Sequence, residues 1–210
     1  MPNSNDCLAR TLLLLLLWFL CLLAGGLPGF FLPGITRTYA YFISSLSGSL
    51  CIVIFCSFSG DLARYLPQFR IRICRLFNLT CWLTFSVSTF LILQHLFREP
   101  EPAYLIPKTT AEFLFMLIVG VLLGPLAEEL LFRGLIIDSL NELFKRPLLS
   151  IILSALIFTI THPYSLRQLL VVFYLGYLLG YFRIRKGLGY CLAAHATVNL
   201  TGIIYNYFFL

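Results

Sequence analysis

Near the middle of the chain, Gly124-Pro125-Leu126-Ala127-Glu128-Glu129-Leu130-Leu131-Phe132-Arg133-Gly134 sets two adjacent carboxylates and an arginine between apolar runs. FLFMLIVGVLL precedes them and LIIDSL follows. On a helix, residues four apart share a face, and the order with glutamate first is the better one. Glu129 and Arg133 are therefore expected to neutralise each other. Glu128 is turned about 100° from its neighbour and has no local partner. A carboxylate in apolar surroundings suits general-base work near neutral pH. Two further pairs repeat the four-residue spacing, Phe158-x-x-x-His162 in IFTITHP and His195-x-x-x-Asn199 in CLAAHATVNL. A carboxylate or imidazole can activate water, and imidazole and amide N–H groups can hold a developing oxyanion. The same Glu128, His162 and His195 are also a donor set that a divalent metal such as zinc accepts. Each cluster has a plainer reading as well: solvated charges at a helix end, an interfacial histidine, or a polar pair that joins helices.

The elements that must carry these residues follow from composition. The chain has 210 residues, of which 60% are hydrophobic and only 11% charged, against about 25% charged in a soluble domain. Uncharged stretches run from Leu12 to Leu27, Thr38 to Gly60, Asn78 to Phe97, Pro147 to Thr161, Gln168 to Phe182 and Gly187 to Leu210. With Phe113 to Ala127 and its continuation they make seven candidate spans near the roughly 20 residues that cross a bilayer as a helix. The expected fold is an all-α polytopic transmembrane bundle. The apolar runs are continuous, which speaks against an alternating β-barrel.

The net charge of +6 does not point to nucleic acid. Threading seven spans puts Arg10, Arg64, Arg70, Arg72, Arg75, Lys145, Arg146, Arg183, Arg185 and Lys186 on one side. Arg37, Arg98, Lys108 and Arg167 fall on the other. The positive-inside rule then places the N-terminus in the cytoplasm and the C-terminus outside. Leu12 to Leu23 also has the make-up of a signal-peptide core, with Arg10 before it and Ala24, Gly25 and Gly26 after it; we read it as a span. The seven cysteines form no C-x-x-C pair and are expected to be small packing residues.

Residues 1–108 hold spans without a recognisable motif, and 109–210 hold nearly all the intramembrane ionisable groups. Such groups cost on the order of 2.5–3.5 kcal/mol each on insertion scales and mark function by default. A straight helix from Thr109 to Lys145 would run roughly 54 Å against a hydrocarbon core of about 30 Å. A kink is therefore expected near Gly124-Pro125. The stretch RYLPQFRIRICRLF reads as a basic amphipathic interfacial segment. REPEPAYLIPK reads as an irregular loop, and Gly176-x-x-x-Gly180 as a close helix contact.

The order E-E-x-x-x-R, F-x-x-x-H, H-x-x-x-N on successive apolar segments resembles the CAAX prenyl protease and bacteriocin-processing family, over about residues 109–205. The resemblance implies intramembrane endoproteolysis of a membrane-embedded or lipid-anchored peptide or protein, a prenylated CAAX-like protein among them. By carry-over Glu128 and His162 would activate water, and His195 and Asn199 would hold the oxyanion. Glu129, Arg133 and Phe158 would support the site. No cofactor is expected; family members are described both as metalloproteases and as glutamate-dependent. Pro163, directly after the histidine, departs from the family pattern. The expected location is a bacterial cytoplasmic membrane. Two other classes stay open: a non-enzymatic immunity or partner-binding membrane protein, and a transporter with a proton relay. No inverted repeat supports the last.

Overall fold

The computed structural model describes residues 4–27, 37–71, 75–96, 109–162 and 164–209. Apart from short turns, these residues are helical. The long helices are α1 (Ser4–Gly26), α2 (Arg37–Phe58), α4 (Leu76–Leu96), α5 (Thr110–Phe144), α6 (Pro147–Ile160), α7 (Leu166–Arg185) and α8 (Leu188–Phe209). A short helix α3 (Asp61–Tyr65) and a tight turn, Leu66–Phe69, follow α2. Each of the seven apolar segments falls on one long helix, and no strand occurs among the described residues. The proline-rich stretch 98–108, Arg72 of the basic segment and Pro163 lie outside the described residues.

The surface is inverted relative to a water-soluble protein. Phe58, Phe77, Ile160 and Leu166 are at least three-quarters exposed, whereas Glu129 and Arg133 are fully buried. Four helices, Leu8–Gly26, Tyr39–Phe58, Leu76–Leu93 and Thr110–Phe144, are long and apolar enough to cross a membrane. The chain is an all-α integral membrane bundle. Lipid tails are as apolar as leucine, so helices associate here through close packing and polar contacts rather than through escape from water. The contacts fit that rule. A Cβ on Gly180 would come within 2.7 Å of Ile151, and one on Gly176 within 3.3 Å of the Ala155 backbone. The Gly176-x-x-x-Gly180 face therefore lies against α6. Gly48 packs α2 against Trp18 and Leu22 of α1, where a Cβ would meet them at 2.8 and 2.6 Å. Trp18 then meets Phe132 edge to face at 5.6 Å, which ties the first hairpin to α5.

Helix α5 is the centre of the molecule. Its start is capped by Thr109, whose hydroxyl accepts the Glu112 N–H at 3.1 Å. Two stretches, Leu117–Leu123 and Glu129–Ile136, are wound as wider π turns, with ordinary α geometry at Gly124–Glu128 between them and at Ile137–Phe144 after them. The π stretches flank the point where the sequence leads one to expect a kink. Pro125 has no N–H to give to an upstream carbonyl, and widened turns are one way a helix accommodates that loss. Lys145, with φ 55°, ends the helix in a left-handed cap, a common way for helices to stop.

Candidate active site

Glu128 and Glu129 leave α5 on adjacent faces, and α8 answers both with one imidazole. His195 Nδ1 donates to Glu129 Oε1 at 2.8 Å, and His195 Nε2 lies 3.6 Å from Glu128 Oε2. The bond to Glu129 fixes the tautomer, because a carboxylate only accepts. Nε2 is thereby turned to Glu128. At 3.6 Å the two are beyond hydrogen-bond reach.

Glu129 is shared. Its Oε1 also lies 3.3 Å from Arg133 Nη1, the pair read from the four-residue spacing. That approach has the distance of an ion pair but not the alignment of a hydrogen bond, since Arg133 Nη1 has no hydrogen-bond partner. The attraction is therefore Coulombic. Arg133 is satisfied elsewhere. Nη2 donates to Gly176 O at 3.4 Å, and the guanidinium carbon stands 4.3 Å from the centre of the Phe158 ring, a cation–π contact. Phe158 is the wall on which the site is assembled. Its ring also meets His162 at 4.6 Å, Phe132 at 5.1 Å and His195 at 6.0 Å.

His162 lies two residues beyond the end of α6. Its Nδ1 donates to Phe158 O at 2.7 Å, because a carbonyl can only accept. In the neutral ring this leaves the Nε2 lone pair free. Asn199 donates from Nδ2 to Gly120 O at 2.8 Å, which uses one of its two amide hydrogens. Glu128, His162, His195 and Asn199 all line one cavity of about 250 Å³. Tyr164 and Gln168 add polar groups to the lining, and Phe42 of α2 and Phe90 of α4 belong to its apolar part. The four residues singled out from sequence are thus brought to one cavity, Phe158 lines it with them, and Glu129 and Arg133 pack behind it. Among the described residues, no three His, Cys, Asp or Glu side chains converge as a metal-binding group.

Sequence reading missed a second polar cluster at one end of α5. Asp138 accepts from the Tyr65 hydroxyl at 2.9 Å and from Arg183 Nη2 at 3.1 Å, and lies 3.5 Å from Arg64. Arg10 pairs with Asp61 nearby at 2.9 Å. Burial, and then the neighbouring Asp138 charge, push the Tyr65 phenol well above its ordinary value, so it remains a donor. The signal was present as Asp138 in LIIDSL, five residues beyond Arg133, but Arg64 and Arg183 served only as markers of topology.

A polytopic helical membrane protein with a carboxylate–imidazole–amide cavity is the class that fold and site define. Residues 110–201 match the family model described as type II CAAX prenyl endopeptidase, Rce1-like. No curated protein and no solved structure matches the chain. The family implies protease activity on a membrane-associated peptide or protein.

Proposed function

We propose that the protein is an intramembrane endopeptidase in which Glu128 activates the attacking water. The observation that carries the reading is the meeting of Glu128, His162, His195 and Asn199 at one cavity within an apolar bundle. Water held between Glu128 and the free Nε2 of His162 gives its proton to the carboxylate as its oxygen attacks the scissile carbonyl carbon. The resulting oxyanion accepts hydrogen bonds from the second Asn199 amide hydrogen and from His195 Nε2–H when that ring is doubly protonated. As the C–N bond breaks, the proton held by Glu128 passes to the amine leaving group. Glu129 and Arg133 hold the His195 ring in place. The Arg133 guanidinium, 3.3 Å from Glu129 behind the site, makes a dication less comfortable there and favours this metal-free course over one in which Glu128, His162 and His195 bind zinc.

The substrate we infer is a membrane-embedded or lipid-anchored chain, a prenylated CAAX-like protein among the candidates, in a bacterial cytoplasmic membrane. The test compares new protein termini in host membranes that express wild type or Glu128→Gln at matched levels, read by terminal-peptide mass spectrometry. Termini present only with wild type are expected, and they would name the substrate. Identical profiles from two folded proteins would shift the assignment to a non-enzymatic immunity or partner-binding role.

A further inference from the structure

Where each wide-turned stretch of α5 returns to α geometry, one backbone carbonyl is passed over. In an α-helix the Gly124 N–H would bond Gly120 O, and the Ile137 N–H would bond Arg133 O. Instead the Gly124 N–H bonds Val119 O, and the Ile137 N–H bonds Phe132 O and Gly134 O. Side chains from the last two helices occupy both carbonyls. Asn199 takes Gly120 O. Arg183 takes Arg133 O, with Nε at 2.8 Å.

Arg183 does more at its junction than fill a gap. Its Nη2 donates to Asp138 Oδ1 at 3.1 Å and to Oδ2 at 3.4 Å. Asp138 lies five residues after Arg133, the repeat of a π turn. A guanidinium is a rigid planar fork, so one side chain grips the helix on both sides of the junction. We propose that Arg183 is a positioning residue for the reaction, one that holds α5 in the register which turns Glu128 and Glu129 toward His195. This rests on the protease reading of the site.

The physical reason is rotation. A single wide turn amounts to one extra residue in an α-helix, or about 100° around the axis. If the Ile137 N–H reverted to Arg133 O, the part of α5 that carries Glu128 and Glu129 would turn by about that angle against Ile137–Phe144. The latter segment cannot follow, because the Tyr65 hydroxyl and Arg64 also hold Asp138. The reverted helix would then lose the 2.8 Å bond between Glu129 and His195. Arg183 occupies the acceptor that the reversion needs. Neither Arg183 nor Asp138 lines the cavity, so any effect on turnover must pass through the helix.

The test uses the full chain in lipid nanodiscs, with two measurements. The first is amide hydrogen exchange, followed by mass spectrometry. Arg183→Met, which removes both grips, is expected to raise exchange across residues 129–140 by about tenfold or more, the signature of a locally opened segment, and to leave 190–200 unchanged. The second is turnover of a membrane-anchored reporter that carries the cleavage sequence found with wild type. There kcat is expected to fall by roughly 100-fold, the scale for an ångström of misplacement, with KM little changed. Asp138→Asn keeps one side-chain oxygen, whose two lone pairs can accept from Tyr65 and Arg183, and should retain more of the turnover than Asp138→Leu does. Wild-type exchange in Arg183→Met, or a change confined to KM, would overturn the proposal. If wild type cuts nothing, the protease reading fails, and the exchange measurement alone still decides whether Arg183 holds the register. Should Arg183→Met not fold, Arg183→Lys keeps the charge but not the fork, and the same two shifts are expected at smaller size.

Discussion

Glu129 carries two contacts on one oxygen, with Arg133 at 3.3 Å and His195 at 2.8 Å, in a place from which solvent is excluded. Such a pair stabilises little relative to an apolar replacement, but breaking it leaves an uncompensated buried charge. Arg133→Met is therefore expected to cost about 3–5 kcal/mol, seen as a lower unfolding midpoint in detergent micelles. Adding Glu129→Gln to it should recover part of that loss. Glu128→Gln, at a side chain that is 22% exposed and lacks a direct hydrogen bond among the described residues, should leave the midpoint nearly unchanged while it abolishes cleavage. On the proposed reading the two glutamates should thus separate into one that holds the structure and one that does the chemistry. The pairing of Glu129 with Arg133 was legible from spacing, because a four-residue pair is a local property. The partner that completes Glu129 was not legible, since His195 is 66 positions away and no local rule connects them.

At the scale of the helix, Pro125 and Asn199 form a coupled pair. The Gly124 N–H bonds Val119 O. Pro125, next in the wide-turn register, has no N–H, and Gly120 O takes its hydrogen bond from Asn199 instead. Asn199→Leu alone leaves a half-buried carbonyl without that donor, a loss of about 1 kcal/mol. Pro125→Ala restores a backbone donor in the same turn. The double variant should therefore be less destabilised than the two single losses added together, by about 0.5–3 kcal/mol of coupling in a double-mutant cycle of unfolding. Gly180 offers a second test. A leucine there would press on Ile151, already 2.7 Å from where a Cβ would stand, and should cost about 1–3 kcal/mol by overpacking. The positions of the helices were legible from apolar run length alone. The wide turns were not: the sequence marks the trouble at Gly124-Pro125, but which carbonyl goes without its partner depends on donors from α7 and α8.

At the scale of the whole molecule, the ion pairs gather residues that the charge bias assigns to one side. Arg10, Arg64 and Arg183, all assigned to the cytoplasmic side, meet two aspartates, Asp61 and Asp138, at one end of the bundle. With Lys145→Cys or Arg167→Cys as the single thiol in a cysteine-free background, an impermeant maleimide added to intact cells should label only the second. Labelling of the first would reverse the assigned orientation. Composition made the membrane class legible. How α1 and α3 brace the site was not, because Trp18 and Tyr65 reach it through shape rather than through a motif.

Helix α6 is only 14 residues long, a rise of about 21 Å where the hydrocarbon layer measures about 30 Å. A helix that short makes the bilayer dip toward it, and His162 lies just past its end. On the protease reading, head groups and the water they carry would be drawn down toward the imidazole, and the lipid itself would shorten the path by which the reacting water arrives. Hydrolysis should be faster in nanodiscs of short-chain lipids than in those of long-chain lipids, because a thicker membrane fills the dip and dries the route.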